Sequence, residues 1–472
     1  MHPAALAAYL NQAMNPSGNG GRVLGNGKLP TAVSAGLSQS LAMAEMRMRT
    51  LFLILTAFFL TRVADPAEPA AGVPVGVRFE WETLARKGHC GDNWCMTWAA
   101  DGNLYTMMDD GCGFDEDHTM WNCRMIRISG GPDFTAKDTW ECEGWPFHPP
   151  ANDGKGFYGY GTYAVGKRIY TWVWKSERNG YRRPIANRLI YTDDFGRTFR
   201  RWDGKLLTKE SFAETAPGSF FFYKEQPTPR AGRDAYAFNW IAFCQNGQAN
   251  SAAKDDFVYM YAVEQYDARR LAMIRVPKDK LCEKNAYEYL IAVDAGGRAR
   301  WSRNPAERGT THVFPAKNYN GLDWLWCSWH PSVVYNEPLD RYIMVSYGIS
   351  DSGTSYWSAW CRQDSESAAT VVMLHSKNPW GPWTQFYKQP EWKTPGEVPL
   401  EWGFDAAASR TYQFKLNPKW IEDGGRTMYL HWSDAGGKWG EGHWGHSRYW
   451  YRWNQVKIHL ELEPSPAPEV DD

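Results

Sequence analysis

Short runs of β-branched and aromatic residues, separated by turn residues, follow one another through most of the chain, and helical periodicity is scarce. Only residues 277–281 suggest a helical turn. The predicted strands occupy residues 103–108, 168–174, 188–192, 257–263, 271–276, 342–347, 371–375 and 427–432. Many strands without intervening helices exclude a βαβ architecture and leave a sandwich, a barrel or a propeller.

Composition supports a β-rich chain with a sizeable core. The 472 residues include 26 Trp, 25 Tyr and 21 Phe, together with 43 Gly and 28 Pro. Flat aromatic rings suit the apolar faces of sugars, although they can equally fill core layers. The formal net charge of −1 argues against a broad basic surface for nucleic acid. We therefore expect a polysaccharide or oligosaccharide partner, no nucleic acid, and a monomer.

Two turn motifs favour the propeller. Residues 192–199 fit the pattern Ser/Thr-x-Asp-x-Gly-x-Thr-aromatic, the Asp-box of sialidase-type propellers, in which the Asp bonds backbone amides of its own turn and Gly takes a positive φ. Residues 376–384 look like a degenerate second copy. The two are about four blade periods apart, at about 40–50 residues per blade. This period allows five to eight blades; we predict five, with seven as an alternative.

The N-terminal region contains one stretch that could enter a membrane. A basic start at Met46 precedes ten apolar residues, 51–60, which is typical of a secretory signal and short of the about 20 residues that span a bilayer. We interpret residues 1–45 as a non-native extension, 46–72 as signal peptide or anchor with linker, and 77–465 as the propeller. The protein is expected to be secreted or periplasmic in a bacterium.

The nine cysteines include five between residues 90 and 142, which fits export and could give one or two disulfides with undetermined pairing. The alternative is structural zinc at Cys327 and His330, with Cys244 and His312 as further ligands. We expect no cofactor beyond such a structural zinc or calcium ion.

Carboxylates are dense in residues 91–114. Asp92 and Asp110 flank a predicted hairpin that turns at Asp101-Gly102, a type I′ signal, so the two strands would return both carboxylates to one end. One carboxylate that donates a proton and one that activates water or attacks are the minimum for glycoside hydrolysis. Alternatively, both aspartates cap turns.

The motifs Asp92-Asn-Trp, Asp101-Gly-Asn-Leu-Tyr-Thr and Asp109-Asp-Gly-Cys-Gly-Phe resemble the opening of a bacterial family that was long catalogued as a domain of unknown function. That family includes endo-D-arabinanases, and the resemblance covers roughly residues 88–435. It implies a five-bladed, furanosidase-like propeller with Asp92 and Asp110 as catalytic carboxylates. The chain departs from the family in Cys90, Cys95 and Cys112 and in Met107-Met108, and arabinan is not implied as its substrate.

Other residues could complete such a site. Glu264, or the cluster of Glu401 and Asp405, could supply a general acid whose pKa is raised by an apolar wall. The candidate substrate contacts are Asp109, Trp94, Trp98, Lys155, Arg233, Asp234 and His330.

Two rival functions stay open. A polysaccharide lyase of the ulvan-lyase type would use His and Tyr for proton transfer and Arg to neutralise a uronate; the candidates are His118, His148, Tyr158, Tyr160, Arg182, Arg183 and Arg188. A non-catalytic sugar-binding propeller could use the aromatic segment 431–451, although this segment could also close the last blade against the start of the chain.

Overall fold

The computed structural model describes residues 72–88, 90–114, 123–139, 157–176, 184–223, 238–264, 267–314, 329–349, 369–390, 392, 410–435 and 452–464. All of them belong to one compact unit, Ala67–Asp472. The proposed extension and signal lie outside the described residues. No helix within the described ranges is both long and apolar enough to cross a membrane.

The described strands form five consecutive antiparallel units. The first strand, β1 (Gly72–Lys87), belongs to the last unit. Blade 1 contains β2 (Cys90–Asp92), β3 (Met96–Trp98), β4 (Leu104–Gly113), β5 (Arg124–Ser129) and β6 (Thr135–Asp138). Blade 2 contains β7 (Phe157–Val165), β8 (Arg168–Ser176), β9 (Pro184–Thr192), β10 (Arg200–Arg201) and β11 (Phe222–Tyr223).

The remaining three blades follow the same order. Blade 3 contains β12 (Asn239–Gln245), β13 (Phe257–Glu264), β14 (Asp267–Pro277), β15 (Glu288–Val293), β16 (Ala299–Ser302) and β17 (His312–Val313). Blade 4 contains β18 (Ser332–Asn336), β19 (Arg341–Ile349), β20 (Ala369–Ser376) and β21 (Thr384–Gln389). Blade 5 contains β22 (Arg410–Leu416), β23 (Thr427–Ala435) and β24 (Arg452–Pro464), which pairs with β1.

Helical structure is minor. One α-helix, α1 (Lys209–Ala213), was not predicted; Thr208 caps its start by accepting a hydrogen bond from the Ser211 amide. Within the described residues, the 3₁₀ turns are Pro217–Ser219, Gln248–Asn250, Lys284–Ala286, Pro305–Glu307, Glu337–Leu339 and Asp423–Gly425. All eight strands predicted from the sequence are confirmed.

The inner strand of each blade lies beside the inner strand of the next. The strands β12 and β18 pair in parallel through Cys244 and Val333, and the side chain of Gln245 donates to the Thr162 carbonyl of β7. Further hydrogen bonds join blade 4 to blade 5 and blade 5 to blade 1, which closes the ring. The architecture is therefore an all-β propeller with five blades, and its last sheet combines the first described strand with the last three.

Both turn motifs join the third strand of a blade to the fourth. In blade 2, Asp194 accepts hydrogen bonds from the Arg197 and Thr198 amides at 3.0 and 2.8 Å, and Gly196 has a φ of +90°. The final aromatic residue, Phe199, packs in the core between blades 1 and 2. These are the contacts that the sequence predicts.

The second motif has the same role in blade 4. It lies two blades after the first, not about four as the spacing predicts, because the blades and their connections are about twice as long as the assumed period. Trp380 and Trp383 follow β20 and pack against blade 3, and the Trp380 indole donates to the Gly297 carbonyl at 2.9 Å. Neither ring is needed as a sugar contact, because each fills the gap between two blades.

The hairpin of blade 1 turns where the sequence predicts, but not as a type I′ turn. Gly102 has a φ of +82°, whereas the φ of Asp101 is not positive. The Gly102 amide donates to the Ala99 carbonyl and the Ala99 amide to the Asn103 carbonyl. These bonds define a three-residue loop in which only the last position needs glycine, so the type I′ prediction is wrong.

Cysteine pairing is partly resolved. Cys95 and Cys123, two members of the N-terminal cluster, are buried free thiols, as is Cys244; Cys282 is also free. Any disulfide in the cluster must therefore involve Cys90, Cys112 or Cys142, whose side chains lie outside the description.

Candidate functional site

The five inner strands are irregular near their beginnings, which lie at the same end of the molecule because every blade starts with its inner strand. Register shifts occur in β7, β12 and β22. The residues with positive φ at these places are Asn93, Phe238, Trp240, Trp329 and Gln413. Bulges and left-handed residues in a sheet redirect side chains and concentrate at functional sites, so this end of the channel is the candidate site.

Two carboxylates meet here in blade 1. Asp92 of β2 and Asp109 of β4 are direct cross-strand partners, and both are buried. The Asn93 side chain donates to Asp109 Oδ2 at 2.9 Å. The hairpin thus returns two acidic residues to one end, as predicted, but the residue opposite Asp92 is Asp109. Asp110 follows in β4, and its side chain lies outside the description.

Blade 5 supplies a buried cation, Lys415. Its Nζ donates to Gln413 Oε1 at 3.0 Å and lies 5.3 Å from the centre of the Tyr160 ring. Burial lowers the pKa of Lys415, while electrostatic interaction with Cys95 and Asp92 opposes this shift. Lys415 is therefore close enough to blade 1 to interact with its acidic residue.

Tyr160 and Cys95 complete the centre as neutral groups. They are hydrogen-bonded to each other, and both are buried. Burial raises the pKa of Cys95 to about 11 and raises the pKa of Tyr160 well above its ordinary value. At neutral pH, both therefore keep their protons.

A series of rings extends from Tyr160 across blades 2, 3 and 4. The ring centres of Tyr160 and His330 are 5.9 Å apart, and those of His330 and Trp240 are 5.1 Å apart. Trp174 lies 4.7 Å from Trp240 and stacks on Tyr158 at 4.3 Å. His330, a predicted substrate contact, and Tyr158 and Tyr160, two lyase candidates, are thus brought together.

Trp94 and Trp98 of blade 1, which the sequence predicts as substrate contacts, belong to a hydrophobic cluster. Trp94 is 1% exposed and packs edge-on against Trp453 at 5.3 Å. Trp98 is half-buried against the same cluster. Because Trp94 presents no open face, its burial supports the core interpretation of this residue rather than the sugar-binding one.

Glu264 forms a buried ion pair with Arg308. Its two carboxylate oxygens accept from Arg308 Nε at 2.7 Å and Nη2 at 2.9 Å, and both side chains are buried. Both carboxylate oxygens of Glu264 are engaged in this bidentate pair, which is the geometry of a structural Arg–carboxylate contact. This geometry does not favour the prediction that Glu264 is a general acid.

Arg188, a lyase candidate, has a structural environment. Its guanidinium donates to the Ser219, Phe212 and Glu214 carbonyls and lies 5.0 Å from the Phe157 ring centre. Burial lowers its pKa to about 10. Its donors are bonded to backbone carbonyls, and this geometry does not favour the prediction that Arg188 neutralises a uronate.

Several candidates lie outside the described residues: Lys155, Arg233, Asp234, His118, His148, Arg182, Arg183, Cys327, Glu401 and Asp405. Of the other proposed zinc ligands, Cys244 is hydrogen-bonded to Tyr261, and the His312 ring contacts Phe314. Across the part of the chain that the structure describes, no three His, Cys, Asp or Glu residues are grouped as a metal site.

The sequence analysis missed Lys415, Gln413 and Trp240 as site residues. One signal was available: Lys415 stands between Phe414 and Leu416 in a strand whose other described side chains are buried. A lysine is rarely buried without an acidic partner, so this position could have been marked as a functional candidate.

The fold and the site together define a five-bladed propeller with a buried polar centre. No family model matches the chain, and no curated protein matches it. Among solved structures, it is similar to a proposed hydrolase from Bacteroides ovatus, with a TM-score of 0.43 and 16% identity over 79% of this chain and 87% of that one.

Two further similar structures are enzymes. An α-L-arabinofuranosidase from Podospora anserina gives a TM-score of 0.39 and 8% identity over 84% of this chain and 99% of that one. A GH43_1 enzyme from Xanthomonas citri gives a TM-score of 0.36 and 12% identity over 86% of this chain and 98% of that one. These TM-scores and identities are too low for the activity of a similar structure to be assigned to this chain.

Proposed function

We propose that this chain is an exported glycoside hydrolase that cleaves an extracellular polysaccharide at the irregular end of its channel. One observation supports the proposal most directly: the blade 1 hairpin places Asp92 opposite Asp109, and therefore next to the following residue of β4, Asp110, at a centre to which all five blades contribute. Hydrolysis of a glycosidic bond needs two carboxyl groups, one of which is ionised while the other holds a proton. The resemblance of residues 88–435 to arabinanase-containing propellers agrees with this chemistry.

The roles follow from the surroundings. Asp92 interacts with the ammonium of Lys415, which favours its ionised form, so Asp92 is assigned as the base or nucleophile. Asp110, one residue beyond Asp109 on β4, stays our candidate for the proton donor. Asp109 accepts from Asn93 and orients that residue, whose φ of +53° shows a constrained backbone.

The test is a polysaccharide panel with four proteins: wild type, Asp92→Asn, Asp110→Asn and Asp133→Asn, the last an exposed control in the same blade. We expect the first two variants to lose about 10²–10⁴-fold in kcat/KM and the control to retain activity. Full activity in a folded Asp92→Asn protein would refute the site. Binding of glycans without cleavage by the wild type would indicate a non-catalytic propeller.

A second candidate is a polysaccharide lyase, because Tyr160 lies beside His330, and these are the residue types that β-elimination requires. The product distinguishes the two reactions. Elimination leaves an unsaturated uronate that absorbs ultraviolet light, whereas hydrolysis leaves a saturated end.

A further inference from the structure

Two buried basic side chains of blade 4 lie at the end of the propeller opposite the candidate site. Arg341 begins β19, and His375 is the second-last residue of β20, which runs antiparallel to β19. Because the inner strand of each blade begins at the candidate-site end, the second strand begins, and the third strand ends, at the other end. Each of the two side chains is only 8% exposed.

The strand register places both side chains on one face of blade 4. His375 is the direct cross-strand partner of Ile343, and Arg341 stands two residues before Ile343 on the same strand. Diagonal neighbours of this kind lie about 7–8 Å apart, which long side chains can bridge. Ile343 packs in the core shared by blades 4 and 5, and so does Phe386, whose ring centre is 6.0 Å from that of His375. Both basic side chains therefore face the space between these two blades.

Buried polar atoms of both side chains lack partners. Among the described residues, neither Nε of Arg341 nor Nδ1 of His375 has a hydrogen-bond partner. Asn336 stands directly opposite Arg341 on β18, but its side-chain amide donates to the Gly425 carbonyl of blade 5 at 2.7 Å. Burial and the charge of Arg341 lower the pKa of His375 to about 4, so its ring is neutral at neutral pH.

The adjacent acidic residue, Asp340, is engaged elsewhere. Its carboxylate forms an ion pair with Lys254 and accepts from the Tyr335 hydroxyl at 2.8 Å. Tyr335 packs in the cluster between blades 3 and 4, on the other face of the sheet from Ile343. The charge of Arg341 reaches Asp340 electrostatically, but the two form no ion pair in the described part of the chain. A buried guanidinium is rarely left without an anion, so this position needs an explanation.

We propose that Arg341 and His375 bind a small oxyanion between blades 4 and 5, at the end opposite the candidate active site. The guanidinium presents a planar fork of N–H donors that matches carboxylate, sulfate or phosphate oxygens, and a neutral imidazole adds one further donor. The bound anion supplies the negative charge that the described protein does not. A free inorganic anion and the acidic group of a sugar share this chemistry, and the inference does not depend on hydrolase activity.

The binding test measures urea unfolding of the full chain against increasing sodium phosphate, sulfate or glucuronate, with sodium chloride holding the ionic strength constant. An anion that binds one site of the folded protein raises stability along a saturating curve. We expect this curve for wild type and for Arg300→Gln, an exposed control in blade 3. Arg341→Gln should bind about tenfold more weakly or worse, because it loses charged hydrogen bonds. His375→Phe, which keeps a ring beside Phe386, should bind with a smaller loss.

The source of the anion follows from the same curves. Saturation by glucuronate alone would support the acidic group of a sugar as the ligand, and saturation by phosphate or sulfate would support a free inorganic anion. Curves that do not differ between wild type and Arg341→Gln for any of the three anions would overturn the proposal.

A second measurement asks whether Arg341 already has a partner within the protein. In buffer whose only anion is chloride, we expect Arg341→Met to be as stable as wild type, because the change breaks no ion pair and keeps an apolar stem in place. On addition of the anion, wild type should gain stability and Arg341→Met should not. A large loss of stability in Arg341→Met without the anion would show that the protein itself pairs this charge, and would overturn the proposal.

Discussion

Buried charges in this protein serve different purposes according to what surrounds them. Arg188 is bonded to backbone carbonyls and packs on aromatic rings, so it ties a loop to blade 2. Glu264 and Arg308 neutralise each other within blade 3. Lys415 is buried in blade 5, where it donates to Gln413 and lies near the Tyr160 ring. The same residue types therefore cannot be assigned a role from their identity alone.

The Glu264–Arg308 pair gives a prediction at this scale. Breaking a buried ion pair by removing one partner leaves a charge that the interior cannot solvate, and this costs about 3–5 kcal/mol. We expect Arg308→Met to lower the free energy of unfolding by that amount, measured by urea denaturation. The exposed pair of Lys278 and Asp256 is the control, and Lys278→Ala should cause no measurable change. Equal effects of the two variants would contradict the structural role assigned to Arg308.

At the scale of elements, the turns between third and fourth strands determine how neighbouring blades meet. In the first motif, Thr192 and Asp194 satisfy the backbone amides of the turn, and Phe199 enters the core between two blades. In the second, the Trp380 indole donates to the Gly297 carbonyl of blade 3, and the Thr311 hydroxyl of blade 3 donates to the Trp380 carbonyl. The motif thus stabilises its own turn and also the contact with the preceding blade.

Alanine substitutions at Gly196 and Gly204 would separate the stability of the turn itself from the stability of the contact between blades. Both have positive φ, at +90° and +84°, but a Cβ on Gly196 would lie 2.5 Å from Thr139 Oγ1, whereas a Cβ on Gly204 would meet nothing within 4 Å. We expect Gly204→Ala to cost about 1–2 kcal/mol from its backbone alone. Gly196→Ala should cost clearly more in the same urea experiment, because blade 1 must also move. Similar losses would show that the approach of the two blades is not tight.

At the scale of the whole molecule, buried histidines make stability depend on pH. Burial lowers the pKa of His375 to about 4 and that of His431 well below its ordinary value. The His431 ring lies 4.5 Å from Trp453, and neither ring nitrogen has a hydrogen-bond partner among the described residues. The folded protein therefore keeps both rings neutral where the unfolded chain takes up protons.

The direction in which stability changes with pH follows from proton linkage. Below an unfolded pKa of about 6.5, the unfolded state binds more protons, so stability falls as the pH falls, by up to about 1.4 kcal/mol per pH unit for each histidine. Between about pH 6.5 and 5, before most carboxylates titrate, we expect the wild type to lose stability. His431→Phe should lessen this slope by one histidine's share, measured by urea unfolding at several pH values. An unchanged slope would show that His431 is protonated in the folded protein.

The short-range features could be read from the sequence. Every predicted strand is present, and the turn bonds of Asp194 and the hairpin that brings β4 back beside β2 were expected from local patterns. Each depends on residues only a few positions apart, where strand periodicity and turn chemistry operate. The placement of Glu264 and Trp94 could not be read in the same way, because burial depends on which distant residues pack against them.

The sequence by itself determined that the chain is built of short strands and blade-linking turns, because these are set by side-chain alternation and by the residues that tolerate tight turns. Only the tertiary structure decided that there are five blades, that Asp109 stands opposite Asp92, and that Lys415 interacts with Asp92. Lys415 belongs to the last blade and Asp92 to the first. The two blades become neighbours only when the ring closes, and no local pattern encodes a proximity that closure creates.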